Sequence, residues 1–409
     1  MIALIQLAIF VASIKAARSA EDCSGSEMAP AMPERRFYEL LSEAAARMQI
    51  DLFVFSPAEF DHRTAQLNGY RFRSGKWALE PCALPDIVYD RSFCRSNEEQ
   101  ADCRASLAAL RRLKPYLSLN GSLPSKWIVY NTLLDDSIIA PALPPTRLIE
   151  RPDELMPMLK AASSAGLFLK PSAGMQGKGV IHVRRNPLAD QWLVTGRTGS
   201  NRRFEHQFDS HERLERWTAK AVGGAAYLSQ PCLSLRSRCG SPFDVRVLLQ
   251  KNEHGRWTVS GAAARVGEPG SLTSNLHGGG KPANAASYLA NEFGRRQAER
   301  LLSRMEQLSL YAAPKLEERF GRLAELGFDY GIEPDGRLWL LEVNSRPGRS
   351  AFRQIGDRQA ERHSIEQPLR YARLLSKRMR PLIITNPQAS RSYDSHRRFR
   401  TDYVQEVHP

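Results

Sequence analysis

Apolar residues run with little interruption from Ile2 to Ala12 (IALIQLAIFVA) and again through DLFVFS at 51–56. Between them FYELLSEAAARMQ, 37–49, brings apolar side chains round at helical intervals. That order predicts a strand, helix, strand unit. LPDIVYDR, 84–91, reads as a third strand, and the Arg- and Leu-rich stretch 101–117 as a second helix, so the first 120 or so residues form a small open α/β layer. A Pro-rich passage, APALPPT at 140–146, marks a crossing or boundary by its restricted backbone. Residues 1–14 have the apolarity of a secretory signal, but no Lys or Arg precedes the run and Arg18 interrupts the small-residue pattern before Ala20, so they read as a first buried strand. There are no internal repeats.

Further along, LFLKPSAGMQGKGV at 167–180 has an apolar strand, Leu167–Leu169, that delivers Lys170 and then a run of glycines, Gly174, Gly177 and Gly179. Glycines leave backbone N–H groups free to wrap an anion, although a Gly-rich hairpin is also simply a turn. The Walker pattern is absent, because the chain continues into the strand VIHV instead of a helix, and for the same reason there is no dinucleotide fingerprint. AYLSQPCLSL reads as a strand entering an extended hinge. FDVRVLLQ and WTVSGAAARV read as two strands joined by the turn KNEHGR. A period of two places Asp244 and Arg246 on one face of that hairpin, with Arg265 on the returning strand and SLTSNLHGGG after it. Arginines on strands are commonly paired surface charges; beside a polar, Gly-rich loop they also suit a polyanion.

The stretch WLLEVNSRPG, 339–348, raises a sharper question, since alternation puts Leu340, Glu342 and Asn344 on one face and Trp339, Leu341 and Val343 on the other. Either that face is wet, or the carboxylate and amide oxygens serve a hard cation such as magnesium, which would offset the cost of burying them.

Composition narrows the classes. With 409 residues, 42% hydrophobic and 25% charged, the chain is globular and long enough for two or three packed units. No stretch reaches the roughly 18 consecutive apolar residues of a membrane span. Six cysteines show no CxxC pair, so they read as reduced thiols of a cytoplasmic protein. The net charge of +14 attracts phosphates or acidic partners, and residues 346–409, with 14 Lys and Arg against 6 Asp and Glu, carry eight of it. The last residues, 391–409, have little apolar content and read as a solvated basic end. They show neither a nucleic-acid motif nor a stacking pattern of aromatics.

The order of parts (lysine with glycine loop, hinge, arginine hairpin, SNLHGGG, then GFDYGIEPDGRLWLLEVNSRPG) is that of ATP-grasp proteins. FDVRVLLQ, ARVGEPGSLTSNLHGGG and EVNSRPGRSAFRQIGD resemble the YheC/YheD family, which is associated with the endospore coat. DVR, SNLH-G-G and EVN are shared with RimK-type glutamate-adding ligases. The resemblance implies an α/β and α+β architecture: a pre-ATP-grasp domain over 1–122, an ATP-grasp domain over 123–380 with lobes 123–230 and 231–380, and a basic tail over 381–409.

Carried over by position, the likeness implies that Lys126 and Lys170 contact the nucleotide phosphates, with Gly174, Gly177, Lys178 and Gly179 folding over them. Adenine would lie at Gln230 to Leu233, where Pro231 offers no N–H, so the donor is Leu233 or a neighbour. Asp329, Glu342 and Asn344 match the magnesium ligands (manganese is an alternative), and Arg246, Arg265 and Asn275 would neutralise the γ-phosphate and the acyl phosphate derived from it. Arg346 stands where glutamate-adding ligases often have a small residue, so their acceptor pocket is not implied.

Two functions of different class follow. One is a Mg-ATP-dependent ligase that activates a carboxylate for capture by an amine or thiol, on substrates that include peptide-like ones. The other is an ATP-binding assembly protein of the spore coat with little turnover. The resemblance leaves both cytoplasm and coat open as its place.

Overall fold

A computed structural model of the chain describes residues 4–15, 29–174, 177–186, 189, 191–274 and 279–384. Three sheets organise them. The first has seven strands, in the order Phe60–Asp61, Gln66–Arg73, Ile50–Phe55, Ile5–Phe10, Ile87–Asp90 and Leu117–Ser118, with Lys76–Pro81 paired on Gln66–Arg73. Its centre is parallel, Leu7 lying opposite both Leu52 and Ile87. Leu7 and Ile9 pack under helix Arg35–Arg47, while Ala8 and Phe10 pack against Cys103 and Leu110 of helix Asn97–Leu113. Strands covered on both faces are apolar at nearly every position, which is why this segment lacks an alternating pattern.

The helices fall close to the predicted ranges, with ends set by local chemistry. The second starts at Asn97 rather than 101 because the Ser96 hydroxyl accepts from the Glu99 N–H at 3.1 Å, with Glu98 and Glu99 in the first turn. It stops at Leu113 because Pro115 forces Lys114 into an extended conformation. The hairpin Gln66–Arg73 with Lys76–Pro81 and the helix Arg295–Phe320 are additions that the pattern reading does not name.

The second sheet has six strands, ordered Arg203–Phe208, Gln191–Arg197, Ile181–Asn186, Leu167–Pro171, Tyr227–Pro231 and Arg147–Ile149, every neighbouring pair antiparallel. Helices Leu155–Ala161 and His211–Val222 cover one face through Leu155, Leu159 and Leu214.

The third sheet is antiparallel with five strands, Lys281–Asn284, Trp257–Val266, Phe243–Lys251, Glu325–Ile332 and Leu338–Asn344. Its apolar face is closed by helix Arg295–Phe320, which presents Leu301, Met305, Leu308, Ala312 and Leu316 at spacings of three and four. Helix Lys126–Leu134 adds Val129 and Leu133 to the same core. The C-terminal helix Arg358–Ile384 packs back on the first sheet's core through Ile365, Leu369, Tyr371 and Leu375.

One prediction about faces is corrected here. Leu340 does not share a face with Glu342 and Asn344. Asp329 pairs with Glu342 and Tyr330 with Leu340, so Leu341 is an extra residue, a β-bulge. Leu340 and Val343 both enter the core, while Leu341, Glu342 and Asn344 line the opposite side. A bulge re-aims side chains in this way and is frequent beside functional sites.

Candidate active site

The six-stranded and five-stranded sheets face each other across a cleft of about 1600 Å³. Register alone assembles its polar floor. Asp244 lies opposite Arg265, Arg246 opposite Asp329, Asp329 opposite Glu342, and Gly327 opposite Asn344. Residues as far apart in sequence as Asp244 and Asn344 are therefore neighbours on one patch.

The Asp329 carboxylate takes Arg246 on both oxygens, at 2.6 Å each, and Arg265 at 3.0 Å. Asn344 Nδ2 donates to the same carboxylate at 3.2 Å. Burial opposes its ionisation, but the Arg246 and Arg265 guanidiniums outweigh burial and hold its carboxyl below the usual range. Behind this row Arg265 donates to Asp244 at 2.5 Å, and the Ser274 hydroxyl donates to the other Asp244 oxygen. Asp244 is a positioning residue that the sequence reading places beside Arg246 without giving it a role; the signal was the Asp-x-Arg spacing with Arg265 on the return strand.

From the opposite sheet, Lys170 Nζ donates to the Leu341 carbonyl at 3.2 Å. Burial, with the nearby Lys126 charge, pushes the Lys170 ammonium down to about 8. Lys126 opens its helix and lies 3.6 Å from Glu342 Oε1. Gly174, Gly177 and Lys178 line the cleft beside these lysines. Gly179 does not border it, but its φ of 72° and the 2.9 Å that a Cβ would leave to Pro171 Cγ make glycine necessary where the chain turns into strand Ile181–Asn186.

At the cleft's other end, Gln230 is buried and its amide donates to the Thr146 hydroxyl at 2.7 Å, so the side chain is already engaged. The Cys232 N–H donates to Gly166 and the Leu233 carbonyl accepts from Leu235. Among the described residues the Leu233 N–H has no backbone acceptor, which leaves it as the donor expected after Pro231. Asn275 and His277 lie outside the described residues.

Asp329, Glu342 and Asn344 offer oxygen donors, the kind a hard cation takes, with both Asp329 oxygens already held by Arg246 and Arg265. No group of three or more His, Cys, Asp or Glu suited to a metal exists among the described residues. Two carboxylates and an amide make a partial oxygen set of the kind magnesium shares with phosphate oxygens and water. Glu342 is the least committed, with only Lys126 near it, and Asn344 would turn its amide to present oxygen.

The turn that follows Asn344 is tied down from three sides. Asn120 donates to the Ser345 carbonyl at 2.5 Å, the Leu123 N–H to the Ser345 hydroxyl at 3.1 Å, and Arg91 to the Pro347 carbonyl at 3.2 Å.

With this geometry in hand, comparison with known proteins gives consistent results. The family described as YheC/D like ATP-grasp matches residues 117–375. The endospore coat-associated protein YheC of Bacillus subtilis (strain 168) is 28% identical over 323 residues, 78% of this chain and 87% of that protein. Endospore coat-associated protein YheD of the same organism is 28% identical over 343 residues, 82% of this chain and 72% of that one. Among solved structures, that of D-cycloserine synthetase DcsG superposes with a TM-score of 0.52 at 14% identity, covering 91% of this chain and 99% of that one.

Proposed function

Because the chain belongs to the YheC/D-like ATP-grasp family, we propose that it is a ligase that uses ATP and magnesium to activate a carboxylate and join it to an amine. The observation that carries this reading is the cross-strand row Arg246, Asp329, Glu342 with Asn344 beside it, met from the opposite sheet by Lys170. A nucleotide between the sheets would set its adenine at Leu233 and its phosphates against Lys126, Lys170 and the glycine turn, with residues 123–230 and 231–380 as the two clamping lobes.

The chemistry asks for charge neutralisation and alignment, without a covalent protein nucleophile. A carboxylate oxygen attacks the γ-phosphorus as ADP leaves. The amine then attacks the acyl carbon, phosphate leaves, and the amine proton passes to solvent. Arg246 and Arg265 would neutralise the negative charge that accumulates on the transferred group, and their pairs with Asp329 and Asp244 keep the guanidiniums oriented beforehand. Asp329, Glu342 and Asn344 would hold magnesium, which would supply charge compensation for the triphosphate. The cleft volume also exceeds the roughly 300–1,000 Å³ of ordinary small-molecule sites, which leaves room for a second substrate of peptide-like size. Among the described residues no helix is long and apolar enough to cross a membrane, and the relatives' names point to work in or beside the spore coat.

The test is ADP release from Mg-ATP in the presence of paired acids and amines, together with thermal melts. A ligand seen only by the folded state raises its apparent stability, so ATP with magnesium should raise the melting temperature more than ATP with a chelator. Turnover absent for every acid despite Mg-ATP binding would favour an assembly protein that keeps the nucleotide site.

A further inference from the structure

Besides the phosphate row, the cleft is lined by Phe93, Cys94 and Arg95 and by Arg346, Ser350 and Phe352. Arg346 stands two residues beyond Asn344, and its guanidinium is anchored from behind. The NH2 group donates to Asp90 Oδ2 at 2.6 Å and to the Ser122 hydroxyl at 2.9 Å. Asp90 is itself immobilised, since its other oxygen accepts from the Ser92 N–H at 2.8 Å and the Ser92 hydroxyl at 2.6 Å.

The rest of the group is unpartnered. Arg346 Nε is buried and has no hydrogen-bond acceptor, and NH1 makes no hydrogen bond among the described residues. A guanidinium carries five N–H donors; here two are fixed on NH2, Nε is closed off, and the two on NH1 are left open to an anion in the cleft that Arg346 lines. The surroundings agree in sign. Arg95, exposed and also lining the cleft, adds positive charge, and the Glu34 carboxylate that lines it too is already held on both oxygens by Arg91 at 2.7 to 2.9 Å.

We propose that Arg346 grips a carboxylate of the second substrate other than the one that is activated. That makes this substrate class an amino acid or short peptide that keeps a free carboxylate through the reaction. The inference rests on the ligase reading above and deepens it. NH1 can donate to a carboxylate oxygen while NH2 stays on Asp90 and Ser122, which fix the planar group's orientation before the substrate arrives; a lysine has a single nitrogen and could not hold those anchors with one nitrogen and the substrate with another. The site also explains why an arginine stands where a small residue would leave the cleft wider.

The experiment is calorimetry on the full chain saturated with magnesium and a non-hydrolysable ATP analogue. It compares L-glutamate with L-glutamine and dialanine with its C-terminal amide. For the wild type, at least one free acid should bind about tenfold or more tightly than its amide. R346Q and R346K should bring that ratio to within about twofold while still binding the nucleotide analogue, and D90A, which frees the guanidinium without removing it, should give an intermediate ratio. No preference for acid over amide in the wild type, or a preference that survives in R346Q, overturns the proposal. Failure of the wild type to bind the magnesium-nucleotide complex would instead remove the ligase reading beneath it.

Discussion

Lys170 Nζ donates to the carbonyl oxygen of Leu341 at 3.2 Å, so a cation carried by the six-stranded sheet is held against the one residue that bulges from strand Leu338–Asn344. Without nucleotide, a carbonyl dipole is the only direct hydrogen-bond partner among the described residues for an ammonium that is buried beside Lys126. Its value of about 8 lies below the ordinary 10.5, so between those limits the unfolded chain binds more protons than the folded one. Stability therefore rises with pH across that window, and the unfavourable contribution is fully present below about 8.

A triphosphate bound as proposed would set an anion against Lys170 and restore its charge, so binding above pH 8 would take up a proton. Affinity for Mg-ATP should fall as pH rises from 8 to 10, with a limiting slope of about tenfold per pH unit. Calorimetry in buffers of different ionisation enthalpy should register the proton uptake near pH 8.5. K170M should bind about tenfold or more weakly at pH 7 and show neither effect. A wild-type affinity that does not change across this range would contradict the assignment.

Glu342 is the proposed metal ligand least engaged by the protein itself, with only Lys126 near it, and that makes it the cleanest probe of a metal. Replacing it with Gln keeps the shape and removes the charge. Nucleotide affinity measured with magnesium should drop about tenfold or more, near 1.4 kcal/mol, whereas affinity measured in chelator should change little. Equal losses in both conditions would assign Glu342 to holding Lys126 in place instead.

Much of this site was legible in the chain, and its failures have one physical origin. The lysine strand, the arginine hairpin and the EVN strand all stand out because strand residues alternate and polar ones on a buried face are conspicuous. Local alternation could not reveal the Leu341 bulge, because a bulge is defined by the partner strand: Tyr330 and Asp329 sit opposite Leu340 and Glu342, and nothing within WLLEVN says so. Long-range partners were equally hidden. Arg91 and Glu325 are 234 residues apart, and neither segment shows that it needs the other. Asp329 was found through its resemblance to a known pattern, since by itself a buried Asp in GFDYGI reads only as a core strand with one polar residue.

Gly327 tests how closely the sheet must approach the turn after Asn344, the residue it faces. A Cβ there would lie 2.9 Å from Pro347 Cβ and 3.5 Å from Arg246 Nε. G327A should cost about 1–3 kcal/mol through this overpacking, and it should lower magnesium-dependent nucleotide affinity more than magnesium-free affinity, because the displaced turn carries Asn344. Urea midpoints and the two titrations check this. A variant as stable as wild type with unchanged binding would show that the turn yields freely.

The buried charge cluster under that turn should be the most sensitive point of the fold. Arg91, with no exposed surface, reaches Glu325 at 2.7 Å and Glu34 at 2.7 Å, while Arg349 pairs with the other Glu325 oxygen and Tyr89 donates to Glu325 at 2.6 Å. These residues join the first sheet to the strand that bears Asp329. Removing one member of a buried pair costs about 3–5 kcal/mol, because the partner is left charged without compensation, whereas replacing both members by apolar groups of similar volume is often far milder. R91M and E325L should each lower the urea midpoint strongly, and the R91M/E325L double variant should lose clearly less than the two singles combined. Midpoints are the proper readout, since a chain with three sheets need not unfold in two states. Arg91 also holds the Pro347 carbonyl, so R91M should weaken magnesium-dependent nucleotide binding even at temperatures where the protein stays folded. Additive losses with intact binding would reduce the cluster to independent contacts and detach it from the site.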